Sequence, residues 1–161
     1  MAIQTLHILR NLYFISSRLG QNASSQYFFV FLTAIDILHN YPIQAEAFLR
    51  EIRPAELGRI PAHPLDRYHD LYFLNVAEHF TLVLSPQTNE DLLIAAAMPY
   101  LSAGNDPRLL EIFEAAHSVM LAVLATPQNT ELSAKHIPFY IEALFKVRFR
   151  FRALTLRCYR Y

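Results

Sequence analysis

Asp106-Pro107-Arg108-Leu109-Leu110-Glu111-Ile112-Phe113-Glu114-Ala115-Ala116-His117-Ser118-Val119-Met120-Leu121-Ala122-Val123-Leu124-Ala125-Thr126-Pro127 reads as one bounded helix. Asp106 is a capping acid, and Pro107 stands where a first helical residue needs no N–H donor. Leu109, Ile112, Phe113, Ala116, Met120 and Val123 then recur at helical spacing and form one apolar stripe. Pro127 lies just past the end. The same grammar repeats in both directions, so this stretch sets the fold class as all-α.

Toward the N-terminus, Asn89 is the expected cap of the preceding helix, with Glu90 and Asp91 at its positive end. Ala95, Ala96 and Ala97 permit close helix approach, Pro99 falls near the end, and Gly104 closes the segment. Before it, Leu65, Tyr72, Val76 and Val83 recur at helical spacing with Phe73 and Phe80 beside them, as far as Ser85-Pro86. Residues 54–64 hold Pro54, Gly58, Pro61 and Pro64 and form the longest irregular stretch. This is a loop and not a tether, because it lacks polar low complexity.

Pro42 opens a shorter helix to about Ile52, stopped by Arg53-Pro54. A helix through Phe28, Phe29, Phe31, Leu32, Ile35 and Leu38 is expected to be capped by Ser24 or Ser25 and to end at Asn40. The first helix spans about Ile3 to Leu19, with Gly20 as a left-handed stop. Toward the C-terminus a helix starts near Asn129 or Thr130, runs through Ile141 and Leu144, and meets Pro138 on the way. The whole is six or seven helices in antiparallel pairs, an irregular bundle or short helical solenoid.

The grammar changes after Phe145. Val147-Arg148-Phe149-Arg150-Phe151-Arg152 alternates with period two, which is strand grammar without a partner strand. Lys146, Arg148, Arg150, Arg152, Arg157 and Arg160 give residues 146–161 six cations and no acid. The other residues carry eight Lys or Arg against fourteen Asp or Glu, although the whole chain is neutral. The domain assignment is therefore 1–145 helical and 146–161 a basic C-terminal tail, frayed or foreign to the fold.

Composition narrows the function. Hydrophobic residues make up 53% and charged residues 17%, against about 25% charged in an average soluble domain. The apolar surplus points to a piece of a larger helical protein, or to a surface that meets a membrane or a partner. No stretch reaches about 18 apolar residues without charge, so membrane contact is expected to be peripheral. Cys158 is the only cysteine, which excludes an intrachain disulfide and a multi-Cys zinc site. Asn22-Ala23-Ser24 matches a glycosylation acceptor, but no secretory signal precedes it, and it is read as a chance match.

Catalytic grammar is missing. No Gly-x-Ser-x-Gly elbow surrounds Ser16, Ser17, Ser24 or Ser25, and three glycines build no phosphate-cradling loop. Two carboxylate–imidazole pairs, Asp66 with His69 and Glu114 with His117, have the three-residue spacing used in di-iron bundles. Asp36, Glu46 or Glu90 would have to supply the remaining ligands, and Glu114 lies toward the polar side of its helix. His69 and His79, the latter beside Glu78, fall near apolar faces and are read as hydrogen-bonded core histidines. No catalytic, cofactor-binding or metal residue is assigned, and no nucleic-acid or small-molecule partner.

Five stretches together carry a resemblance: 11–19 (NLYFISSRL), 31–38 (FLTAIDIL), 77–84 (AEHFTLVL), 112–121 (IFEAAHSVML) and 135–140 (KHIPFY). They resemble filamentous-fungal peroxisome biogenesis proteins of the peroxin 8 type, over about residues 1–145. The resemblance implies a noncatalytic helical protein, peripheral on the inner face of the peroxisomal membrane. It would link receptor docking to the ubiquitin-ligase complex during matrix-protein import, with that machinery as its protein partners. Family members tend to be longer and often end in a Ser-Lys-Leu-like address, whereas this chain ends Cys158-Tyr159-Arg160-Tyr161. The expectation is a truncated product or a misread exon after Phe145. A generic helical adaptor is the first alternative function and a di-iron carboxylate oxidase the second.

Overall fold

Helix stripes that cannot be buried alone are buried here against one another. The computed structural model describes residues 1–16, 21–104 and 106–158, with side chains at 1–15, 25–104 and 106–146. Among these residues there is no strand. Seven helices follow in order: α1 (Ala2–Ser16), α2 (Gln21–His39), α3 (Pro42–Ile52), α4 (Pro64–Ala77), α5 (residues 86–97), α6 (Leu110–Ala125) and α7 (Thr130–Cys158). Short 3-10 turns lead into α6 at Pro107–Leu109 and into α7 at Pro127–Asn129.

One continuous core unites them. It runs from Leu6 and Leu9 of α1 through Phe31 and Ile35 of α2 and Phe48 and Leu49 of α3. It continues through Tyr72, Phe73 and Val76 of α4 and Leu93 of α5 to Ala116, Val119, Met120 and Val123 of α6. Helix α1 packs on α2 and α4, and α4 packs on α6. Two core tyrosines satisfy their hydroxyls on α1: Tyr72 Oη donates to the Leu6 carbonyl at 2.7 Å and Tyr27 Oη to the Leu9 carbonyl at 3.2 Å. Buried aromatic rings thereby keep a polar partner.

Several boundaries follow local chemistry. Pro42 opens α3 and Arg53-Pro54 stops it, as expected. Asp106 caps the 3-10 turn before α6 by accepting from the Arg108 N–H at 3.0 Å. Gly58, with φ of 82°, turns the loop after α3 in a conformation that favours glycine.

Other boundaries correct the sequence reading. Helix α2 already begins at Gln21, so Ser24 and Ser25 lie inside it and do not cap it. The expected Gly20 stop lies outside the described residues. The α-helix after Pro64 ends at Ala77 and tightens into a 3-10 turn at Glu78–Phe80, short of Ser85. Ser85, not Asn89, caps α5: its Oγ accepts from the Thr88 N–H at 3.1 Å, and Pro86 takes the first helical position. Asn89 is fully buried, and α5 is π-helical at Asn89–Ile94. The period-two stretch at 147–152 is helical, because α7 continues through it to Cys158 without a break at Phe145. A two-residue alternation of Arg and Phe therefore does not make a strand where no sheet edge receives it.

The 85° turn between Pro107–Ala125 and Pro127–Lys146 sends α7 across the end of α6. Gln128 fastens that corner. Its Nε2 donates to the carbonyls of Leu84 at 2.7 Å and Leu82 at 3.2 Å.

Candidate functional site

Among the described residues, a concavity lies where the loop after α3 arches over α1 and α4. It holds about 510 Å³ and draws its charged and titratable lining from Arg10, Arg53, Glu56, Arg59, His63, Asp66, His69 and Asp70. Arg10 is the only charged residue of α1. The loop is pinned from below, where Arg67 Nη1 donates to the carbonyls of Ala62 at 2.8 Å and Pro61 at 3.1 Å. His63 caps α4, with its Nδ1 accepting from the Leu65 N–H at 3.2 Å.

Asp70 forms the floor. It is 3% exposed, and its carboxylate accepts a 2.6 Å hydrogen bond from the Tyr100 hydroxyl. Burial pushes this carboxyl up to about 6, although the Tyr100 hydrogen bond pulls the other way. Burial, and then the Arg10 charge, lowers the His69 imidazole below its ordinary value.

The sequence-derived carboxylates and imidazoles do not converge. Asp66 and His69 line this cavity. Glu114 is exposed on a different, shallower concavity beside Glu78, Glu111 and Ser118. His117 turns the other way, with Nδ1 2.9 Å from the Tyr140 hydroxyl and its ring against Phe113 at 4.4 Å. Glu46 binds Arg50 at 2.7 Å and accepts from Thr88 Oγ1 at 3.1 Å. Glu90 is held by Lys135 and, at 3.0 Å, by His136 Nε2. Those two hydrogen bonds, Lys135 first, hold the Glu90 carboxyl below its ordinary value. Asp36 is exposed on α2, and among the described residues no group of three His, Cys, Asp or Glu could hold a metal ion. The ligand set that a di-iron centre requires is thus distributed over separate structural contacts. His79, by contrast, lies half-buried with its ring beside Phe31 at 6.2 Å.

The loop cavity has no signature in the sequence that spacing alone exposes. Its signal is the set of cations in the Pro- and Gly-rich stretch 53–63 together with the lone Arg10 of α1. Nothing in the spacing reveals that the two meet.

The outer faces are strongly apolar. Helix α2 presents Phe28, Leu32, Ile37 and, at 71% exposure, Phe29. Helix α7 presents Ile137, Ile141, Leu144 and Phe145 outside its buried positions Leu132, Tyr140 and Ala143. Scattered apolar residues are ordinary on a surface, but contiguous aromatic and aliphatic rows mark interaction sites. Among the described residues no single helix is long and apolar enough to cross a membrane.

Residues 45–125 match the family of the PEX8 central TPR-like domain. They extend from the middle of α3 to the end of α6 and so include both π-helical α5 and the core stripe of α6. The chain is also 32% identical over 157 residues to the peroxisomal membrane protein PEX17 of Yarrowia lipolytica, which covers 88% of this chain and 23% of that protein. It therefore spans about a quarter of that relative's length. No solved structure matches the chain.

Proposed function

The chain belongs to the peroxin family marked by the PEX8 central TPR-like domain, and from that membership we propose that it is a noncatalytic scaffold of peroxisome biogenesis. In this reading it works in matrix-protein import and joins receptor-docking and ubiquitin-ligase complexes. It resides in the peroxisome, peripherally on the inner face of the membrane. The observation that carries the reading is the family match across the packed helical core, joined to outer faces whose apolar rows a monomer does not use.

The physical logic is that of stacked helices. Short helices bury their stripes against neighbours and leave extended outer faces for partners. Exposed Phe28, Phe29 and Leu32 on α2 suit helix-on-helix docking, in which i, i+3 and i+4 anchors enter a complementary groove. The tail cations Lys146, Arg148 and Arg150 suit attraction to an anionic membrane surface, at about 1 kcal/mol per basic residue near that surface.

The test is localisation with topology. The full chain fused to a fluorescent protein should coincide with a peroxisomal matrix marker, and should survive external protease until the membrane is dissolved by detergent. Affinity purification should recover import-machinery proteins. A diffuse cytosolic signal without such partners would favour the generic adaptor instead.

A further inference from the structure

We propose that the cavity between α1, the loop after α3 and α4 is a binding site for a small phosphate-monoester anion, held by Arg10 and Arg53. This goes beyond the scaffold reading and does not depend on it.

Two cations of this cavity, Arg10 and Arg53, have no ion-pair partner among the described residues. Arg10 Nε is buried and makes no hydrogen bond. A guanidinium N–H that leaves water without an acceptor carries an uncompensated desolvation cost. Three carboxylates line the same cavity, yet none lies within ion-pair reach of Arg10 or Arg53. Glu56 is committed to Arg59 at 3.4 Å. Asp70 is committed to Tyr100, and the Arg10 charge reaches it only from beyond ion-pair distance. Only Asp66 remains, and it is exposed at the rim.

The unpaired guanidiniums come from two separate places in the chain, α1 and the residue just after α3, and line one half-open cavity. A planar fork recognises two oxygens at once. A tetrahedral dianion offers oxygens to both forks together, whereas a single carboxylate presents only one bidentate edge. The volume of about 510 Å³ admits a phosphate with a small organic substituent. The Arg67 hydrogen bonds to Pro61 and Ala62 hold the loop in place, so the cavity exists before any ligand enters.

The phosphate could belong to a soluble molecule or to a lipid headgroup, and the experiment separates them. Calorimetric titration of the full chain with inorganic phosphate and inositol 1-phosphate reads the soluble source. Cosedimentation with phosphatidylcholine vesicles containing phosphatidic acid reads the lipid source. Arg53→Gln, an exposed change that should leave the fold intact, is expected to weaken binding about tenfold through loss of one charge-assisted contact. Arg10→Gln should weaken it at least as much. Arg50→Gln, whose arginine pairs with Glu46 outside the cavity, should bind like the parent. Loss in the first two variants in either format supports the site and identifies its source. No binding in either format, or equal binding by Arg53→Gln and the parent, overturns it.

Discussion

Asp70 sits where a carboxylate is costly, buried at the floor of the loop cavity with the Tyr100 hydroxyl as its hydrogen-bond donor. Its native carboxyl titrates at about 6, raised chiefly by burial, against about 3.9 in an unfolded chain. Between those values the folded protein holds a proton that the unfolded chain has released. Asp70's contribution to stability is therefore fully present below about pH 4 and is lost as pH rises through 6. Asp70→Asn keeps an acceptor for Tyr100 and removes the titration. Its stability relative to the parent should grow from near zero at pH 4 to about 2–3 kcal/mol at pH 7, because each tenfold preference of the fold for the protonated acid is worth about 1.4 kcal/mol. Urea unfolding at several pH values measures it, and a difference constant with pH would refute the assignment. The loop cavity above Asp70 is illegible in the sequence for the same reason that Asp70 itself is. Nothing local to Leu65–Tyr72 says that Tyr100, thirty residues on, supplies a donor.

At the scale of elements, local signals are legible where they are self-contained. Asp106-Pro107 and Pro42 carry their cap chemistry within three residues, and both open helical segments where they should. Asn89 misleads because it has cap chemistry but a buried environment. Its amide donates to the Thr81 carbonyl at 3.0 Å and to Asn129 Oδ1 at 3.4 Å, which no local rule anticipates. The sequence gets the direction of the α6 stripe right and overstates its depth. Phe113 is only half-buried, whereas Val119 and Met120 are fully buried. Met120→Ala should accordingly cost about 2–5 kcal/mol, the usual range for a fully buried Met, and Phe113→Ala should cost less than Met120→Ala. Gly104 stands against the Phe113 ring, where an added Cβ would meet Cζ at 3.0 Å. Gly104→Ala should destabilise the parent but cost less in a Phe113→Leu background. The two changes should couple by about 0.5 kcal/mol or more in a double-mutant cycle. Additive effects would mean that the ring moves aside freely.

For the molecule as a whole, all-α architecture is legible because periodic stripes, prolines and caps agree along most of the chain. The continuation of α7 is not legible, since a strict Arg–Phe alternation imitates a strand when tertiary context is unseen. Among the described side chains of α7, the final buried one is Ala143, while Leu144, Phe145 and Lys146 are exposed. Among the described side chains, α7 contributes none to the core beyond Ala143. Residues 146–161 nevertheless hold six of the fourteen Lys and Arg, and their removal leaves eight cations against fourteen acids. Truncation after Phe145 should leave the midpoint of thermal unfolding nearly unchanged and lower the isoelectric point. It should also weaken cosedimentation with anionic vesicles by an amount that diminishes as salt is raised, because exposed charges are screened over about 10 Å at 0.1 M. A truncated body that no longer unfolds cooperatively would instead show that the end of α7 is a packed element, and the boundary at Phe145 would have to move.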